Sequence, residues 1–298
     1  MDRILFGDNQ FFSINHISEQ KATQQSIQFR DDDAIVNTID IAREEGIETF
    51  MCTTHERLYS IFDVIRNNNV KYSAFSIYPC MPYAHKYANA VTELGVVSTI
   101  KKYIPGNIVS SIYKGGMAMF SSDYISIMKL MIDAEMKMFY HLKTPVIFLQ
   151  NVVTDLLLGL GMTGIFKYFH DYIRTKYKVE AGFITMNMPM LLEALEHEGV
   201  HHPIICCSIN KAGFRMSGGI EKYENVLEQK NARIIAMQVL GGGSLPADEA
   251  IEYVCQLPNI ESILFGASSQ KNIHQTVSYI HHYDKLKEFA EPYISQVC

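Results

Sequence analysis

Apolar residues along this chain fall in short runs, each followed by a segment with the three-to-four-residue spacing of a helix. The clearest instance is Ile234-Ile235-Ala236-Met237-Gln238-Val239-Leu240, which stops at Gly241-Gly242-Gly243. That is a buried strand with a hard stop. Asp248–Gln256 then has helical spacing, Ile260–Phe265 is a second apolar run, and Gly266-Ala267-Ser268-Ser269 leads into a helix beginning near Lys271. The same alternation predicts strands at Ile4–Phe6, Glu48–Met51, Tyr72–Phe75, Val146–Gln150, Gly182–Ile184, Pro203–Ser208, Arg233–Val239 and Ser262–Phe265. It predicts helices at Asp33–Glu45, Leu58–Asn67, Ile165–Tyr177, Met190–Glu198, Ile220–Gln229, Asp248–Gln256 and Asn272–His281.

Strands alternating with helices are the pattern of a parallel α/β protein, and eight strands with their helices close a (β/α)8 TIM barrel. The connection from the third strand to the fourth, Ile77–Thr144, is far longer than the usual few residues. It is expected to be a helical insertion within a single 1–298 domain. Met117, Met119, Met128, Met131, Met136 and Met138 lie in it among Tyr124, Ile125, Phe139 and Tyr140. Such a segment packs as a cap on the barrel or a homodimer interface, or forms an adaptable lid, because methionine repacks easily around a ligand.

Composition narrows the partners. The 298 residues are 48% hydrophobic with a formal net charge of -6, and no run of Lys and Arg is long enough to track a nucleic-acid backbone. The chain is read as an ordinary globular protein with a small-molecule substrate. Cys52, Cys80, Cys206, Cys207, Cys255 and Cys298 have no C-x-x-C spacing and read as reduced, cytosolic thiols. The N-terminus runs straight into a strand without the apolar core of a leader, and Val146–Met162 is interrupted by Gln150, Asn151, Thr154 and Asp155. A soluble, cytoplasmic protein without a membrane span is therefore expected.

Candidate chemistry sits where barrels place it, at the C-terminal ends of strands. After strand one come Asp8, Asn9 and Gln10, with His16 further along; after strand two come Thr53, Thr54, His55, Glu56 and Arg57. Asp8 is a candidate base, or a contact to a metal or a sugar hydroxyl; its alternative is a turn residue bonding nearby amides. His55 and Glu56 form an acid/base pair, or cap the next helix with Arg57 paired to Glu56. Tyr78 is a proton donor just past strand three, or a tyrosine buried with its hydroxyl satisfied. Asn151 and Asn210 orient a polar substrate together with Asn9 and His16, or cap loops, while Asn187 reads as a helix N-cap ahead of Pro189. Lys211 is either a phosphate contact or a solvent-exposed cation. His201, His202, His281 and His282 lack a third ligand, so no metal is expected.

The two glycine- and serine-rich turns near the C-terminus aim backbone amides at an anion. The segment from Ile234 to Leu245, followed by Leu257-Pro258-Asn259-Ile260-Glu261-Ser262 and by Phe265-Gly266-Ala267-Ser268-Ser269, resembles the C-terminal third of the aldo/keto reductases in order and spacing. Ala34–Phe50, with Glu45-Gly46-Ile47, looks like that family's first helix and second strand, and Ser208-Ile209-Asn210 resembles the end of its sixth strand.

The resemblance implies NADP(H), held at its phosphates by Gly241, Gly242, Gly243, Ser244, Gly266, Ser268 and Ser269, with Lys271 at an adenosine phosphate. The family's catalytic residues do not carry over. Its Asp-Thr-Ala motif, with a Tyr five residues after the Asp, lands on Met51-Cys52-Thr53 with Glu56. Its Lys has no counterpart in Ala74–Tyr78, its His falls at Asn151, and its nicotinamide-holding Ser-Asn pair is replaced by Ile184-Thr185. Three functions stay open: an NADP(H)-linked oxidoreductase of a small polar carbonyl or sugar with a non-standard site, a cofactor-independent lyase or isomerase of a phosphosugar-like compound, and a non-catalytic ligand-binding barrel.

Overall fold

The computed structural model describes residues 1–12, 19–83 and 124–294. Eight strands, β1 (Ile4–Gly7), β2 (Thr49–Thr53), β3 (Ser76–Met81), β4 (Val146–Leu149), β5 (Glu180–Thr185), β6 (Ile204–Ser208), β7 (Arg233–Met237) and β8 (Ile260–Phe265), pair in parallel in chain order. β1 pairs back onto β8 and closes the barrel. The described helices are α1 (Glu19–Gln28), α2 (Asp32–Glu44), α3 (Leu58–Asn67), α4 (Tyr124–Met136), α5 (Asn151–Gly159), α6 (Gly164–Tyr172), α7 (Met188–His197), α8 (Ile220–Glu228), α9 (Ala247–Gln256) and α10 (Gln270–Ile294). None of the described helices is long and apolar enough to cross a membrane.

Strand alternation builds two apolar layers. Leu5, Met51, Tyr78, Phe148, Ile184 and Ile235 face inward and fill the barrel. Phe6, Phe50, Ile77, Phe183 and Ile263 face outward beneath the helices. At Gly182 a β-carbon would stand 2.3 Å from Phe148 Cε1 and 2.5 Å from Cδ1, so the ring occupies the place of a side chain. Gly182→Ala is expected to cost about 1–3 kcal/mol by overpacking, read as a fall in melting temperature of several degrees. An unchanged melting temperature would show that the ring moves freely.

The third strand departs from the expected position. Tyr72–Phe75 is a turn, with the Phe75 amide bonded to the Tyr72 carbonyl, and the strand is Ser76–Met81. A proline in its middle argues against a strand, yet β3 tolerates Pro79 for a visible reason. It pairs with β2 from Ser76 to Cys80 but with β4 only at Cys80 and Met81, beyond the proline.

Tyr78 therefore does not follow the strand; it lies inside it, opposite Met51. Its ring is buried near Phe148, and burial, followed by the charges of Asp2, Glu180 and Glu261, pushes its phenol up to about 12. Those acids belong to the N-terminal end of the barrel, where Arg233 pairs with Glu261 and Glu180 and the terminal amine pairs with Glu261. The hydroxyl thus faces the end opposite the strand C-termini, and Tyr78 is removed from the candidate site.

The connection after β3 accordingly starts at Pro82 rather than at Ile77, across a cis Met81–Pro82 bond. Its described part, α4 and the turn Lys137–Phe139, packs on the barrel: Met128, Ile132, Met138 and Phe139 are buried. Asp133 accepts from the hydroxyls of Tyr172 and Tyr177 and from Lys176. Met117 and Met119 lie outside the described residues. α1 and α5 are further elements that the apolar spacing did not predict.

Candidate active site

The C-terminal ends of the strands carry four polar pairings around the barrel mouth. The first joins β1 to β2. Asp8, 6% exposed, accepts at Oδ2 from the Thr53 amide and the Thr53 hydroxyl, both at 2.7 Å. Burial raises its carboxyl above the ordinary aspartate value, with the Thr53 bonds and its own amide opposing. Loss of hydration disfavours the charged form, and a carboxyl held in this way in a mouth suits proton transfer.

The second pairing ties β2 and β3 to α4. Glu135, 2% exposed, accepts from the Thr54 hydroxyl at 2.6 Å and from the Tyr83 amide at 3.1 and 3.2 Å. The His55 ring stacks on Phe12 at 3.9 Å and tilts against Tyr83 at 6.0 Å. Its Nδ1 accepts from the Arg57 amide at 3.2 Å, so the neutral ring carries its proton on Nε2. Burial and the nearby Asp8 charge raise the Tyr83 phenol.

The third pairing joins α5 to the end of β5. Asp155 accepts from the Thr185 hydroxyl at 2.5 Å and the Met186 amide at 3.1 Å, and burial raises its carboxyl. The fourth joins β6 to β7, where the Ser208 hydroxyl donates to Gln238 Oε1 at 2.7 Å. Gln238 holds a positive φ of 55°, a conformation uncommon for a residue with a side chain.

Several expected site residues are placed differently. Glu56 is exposed, and Arg57 pairs with Asp32 at 2.8 Å rather than with Glu56. Asn9 is exposed and His16 lies outside the described residues. Asn151 opens α5. Asn210 is fully buried, but its carboxamide is spent within its own loop, accepting from the Phe214 amide and donating to the Phe214 carbonyl. Asn187 is the N-cap of α7, as expected, accepting from the Met190 amide, and Lys211 pairs with Glu249.

In the first glycine loop, Gly241, Gly242 and Gly243 all have positive φ. Gly241 and Gly243 turn their amides inward, onto the Gln238 and Leu240 carbonyls. Ser244 is exposed, and its hydroxyl donates to the Gly241 carbonyl at 2.8 Å. In the second loop the Ser269 hydroxyl accepts from the Asn272 amide, the Ser268 carbonyl accepts from Gln28, and Lys271 is exposed on the first turn of α10.

Residues that sequence reasoning passed over are Glu135, Asp155, Thr185 and Gln238; Thr53, named among the residues after strand two, is the holder of Asp8. Glu135 left a signal: it stands seven residues after Met128 and three after Ile132, on the buried stripe of α4. The five described cysteines are buried free thiols, and burial raises each of them. No group of three His, Cys, Asp or Glu side chains suited to a metal occurs among the described residues.

No family model matches the chain, and no curated protein matches it. Its fold is that of solved aldo-keto reductase structures. A Pseudomonas aeruginosa protein assigned to the aldo-keto reductases superposes with a TM-score of 0.58 at 11% identity, over 95% of this chain and 90% of that one. The aldo-keto reductase AKR11C1 from Bacillus halodurans, in its holo form, superposes with a TM-score of 0.53 at 10% identity, over 95% and 91%. Identity at this level carries the barrel and not its chemistry.

Proposed function

We propose that this chain is an aldo/keto-reductase-like barrel enzyme, an NADP(H)-linked oxidoreductase of a small polar carbonyl or sugar metabolite. The observation that carries the reading is Asp8, a buried carboxyl with a raised pKa at the end of β1, held through one oxygen by Thr53. The fit to the cofactor is better at the phosphate end. A β-carbon at Gly243 would meet nothing within 4 Å, Ser244 is exposed, and Lys271 stands at the N-terminus of α10, where an anion is favoured. With Gly241 and Gly243 amides turned inward, this end relies on α10 and Lys271.

NADP(H), when bound, supplies the hydride. Asp8 moves the accompanying proton at its carboxyl, and Thr53 holds that carboxyl in place. Tyr83 and His55, beside it, shape the wall toward β3. A second reading, a cofactor-independent lyase or isomerase, is favoured by one feature: Asp8 bonds neither a lysine nor a tyrosine in the described structure, and proton transfer alone serves such reactions.

A titration of purified protein with NADPH, followed by nicotinamide emission, tests the choice, because the chain has no Trp to overlap the signal. Saturable enhancement is expected. Absence of binding at high ligand concentration removes the oxidoreductase reading and leaves the isomerase or lyase.

A further inference from the structure

The loop after β1 holds two acceptor oxygens at the end of the barrel, one toward β8 and one toward β2. Gln10 is 4% exposed, and its Nε2 donates to the Gly7 carbonyl at 2.7 Å. That bond assigns the two ends of the carboxamide, since the flipped group would set oxygen against oxygen. Its Oε1 is buried and meets no donor.

The oxygen also lies at a telling place. It stands 2.2 Å from the position a β-carbon on Gly266 would take. Leu264 faces the barrel interior and Phe265 faces outward, so by strand alternation residue 266 faces inward. Gln10 Oε1 therefore fills the inward side-chain position at the end of β8.

On the β2 side of Gly7, Asp8 commits Oδ2 to the two Thr53 donors. The remaining oxygen, Oδ1, takes no donor from another described residue. A buried acceptor without a donor is costly, and Gln10 Oε1 is one. Ionised carboxylate and carboxamide oxygens are both acceptors, so they call for O–H or N–H groups and repel a carboxylate or phosphate.

We propose that Asp8 and Gln10 together form a binding site for a pair of ligand hydroxyls, as carried by a sugar or polyol substrate or by the ribose of a nucleotide. This rests on reading the mouth as the ligand site. It adds that selection there works on hydroxyl donors, with Gln10 as a specificity-determining residue and Gly266 lacking a side chain because Gln10 takes its room.

The test is an NMR titration that follows the side-chain amide of Gln10, assigned by its disappearance in Gln10→Met, with D-ribose, 2-deoxy-D-ribose and NADPH as probes. A saturable shift of the Gln10 signal is expected with D-ribose or with NADPH. The first outcome assigns the diol to the substrate and the second to the nucleotide. Where D-ribose binds, 2-deoxy-D-ribose is expected to bind at least about ten-fold more weakly, a difference of about 1.4 kcal/mol. In Gln10→Met the two sugars should come within about two-fold of one another.

A Gln10 signal that moves with none of the probes overturns the proposal whether or not the variant folds, and so does an unchanged sugar ratio in Gln10→Met. NADPH binding that leaves Gln10 unmoved, with neither sugar bound, sinks this inference and spares the cofactor reading. D-ribose binding without NADPH binding does the reverse.

Discussion

Asp8→Asn is expected to lower turnover by about 10²–10⁴-fold, the range for removal of a general acid or base, while raising the melting temperature at neutral pH. The two effects share a cause. Burial, the largest influence, raises the folded carboxyl above 3.8, against the opposing pull of Thr53. A carboxyl raised by folding contributes stability that is full below its unfolded value and is lost as pH rises through its folded value. At neutral pH the ionised side chain is therefore a cost. Asn accepts the same Thr53 bonds without a charge, so that cost disappears together with the ionisable proton of residue 8.

Melting curves of both proteins across about pH 4–8 isolate the effect, because only the difference between them reports residue 8. Other carboxyls, among them Asp32, Asp133, Asp171 and Glu261, are lowered by their partners and tilt the whole curve the other way. The wild-type deficit should grow as pH rises from the unfolded value through the raised one and level off above it. An Asn variant less stable at neutral pH, with a flat difference curve, would show that Asp8 is held as a structural anion.

The barrel was largely legible because eight strand-helix alternations leave little else to build. α3 runs over Leu58–Asn67, as its spacing predicts, and β7 ends at Met237, two residues before the expected stop. What failed in the fold was local. Pro79 disguised β3, whose missing N–H does no harm because β4 pairs only beyond it, and this shift misplaced Tyr78. α1 is too polar for an apolar stripe, and α5 begins only two residues past Leu149, so its apolar residues run on from those of β4. In the site, Asp8 was legible from its place after a strand. The burial of Glu135 was legible in the spacing of α4, but its partners were not, because they lie 52 residues away at Tyr83 and 81 at Thr54, a pairing that no spacing encodes.

Glu135→Ala is expected to destabilise the protein by about 3 kcal/mol, opposite in sign to Asp8→Asn. Hydrogen bonds to a charged group contribute about 1.5–3 kcal/mol each. The substitution strands the hydroxyl of Thr54, which is 0% exposed, and the amide of Tyr83. Glu135→Gln keeps an acceptor oxygen and should lose less. Because Tyr83 sets one wall beside His55, hydrogen exchange at Thr53–His55 and Tyr83 should rise in the Ala variant before global unfolding. A melting temperature within about one degree of wild type would mean that α4 is held without this carboxylate. The two acids at one mouth then separate by their behaviour. Glu135 spends both oxygens on the chain and loses stability when removed, whereas Asp8 takes its two bonds from Thr53 through one oxygen and gains stability when neutralised, as expected of a group retained for chemistry rather than for the fold.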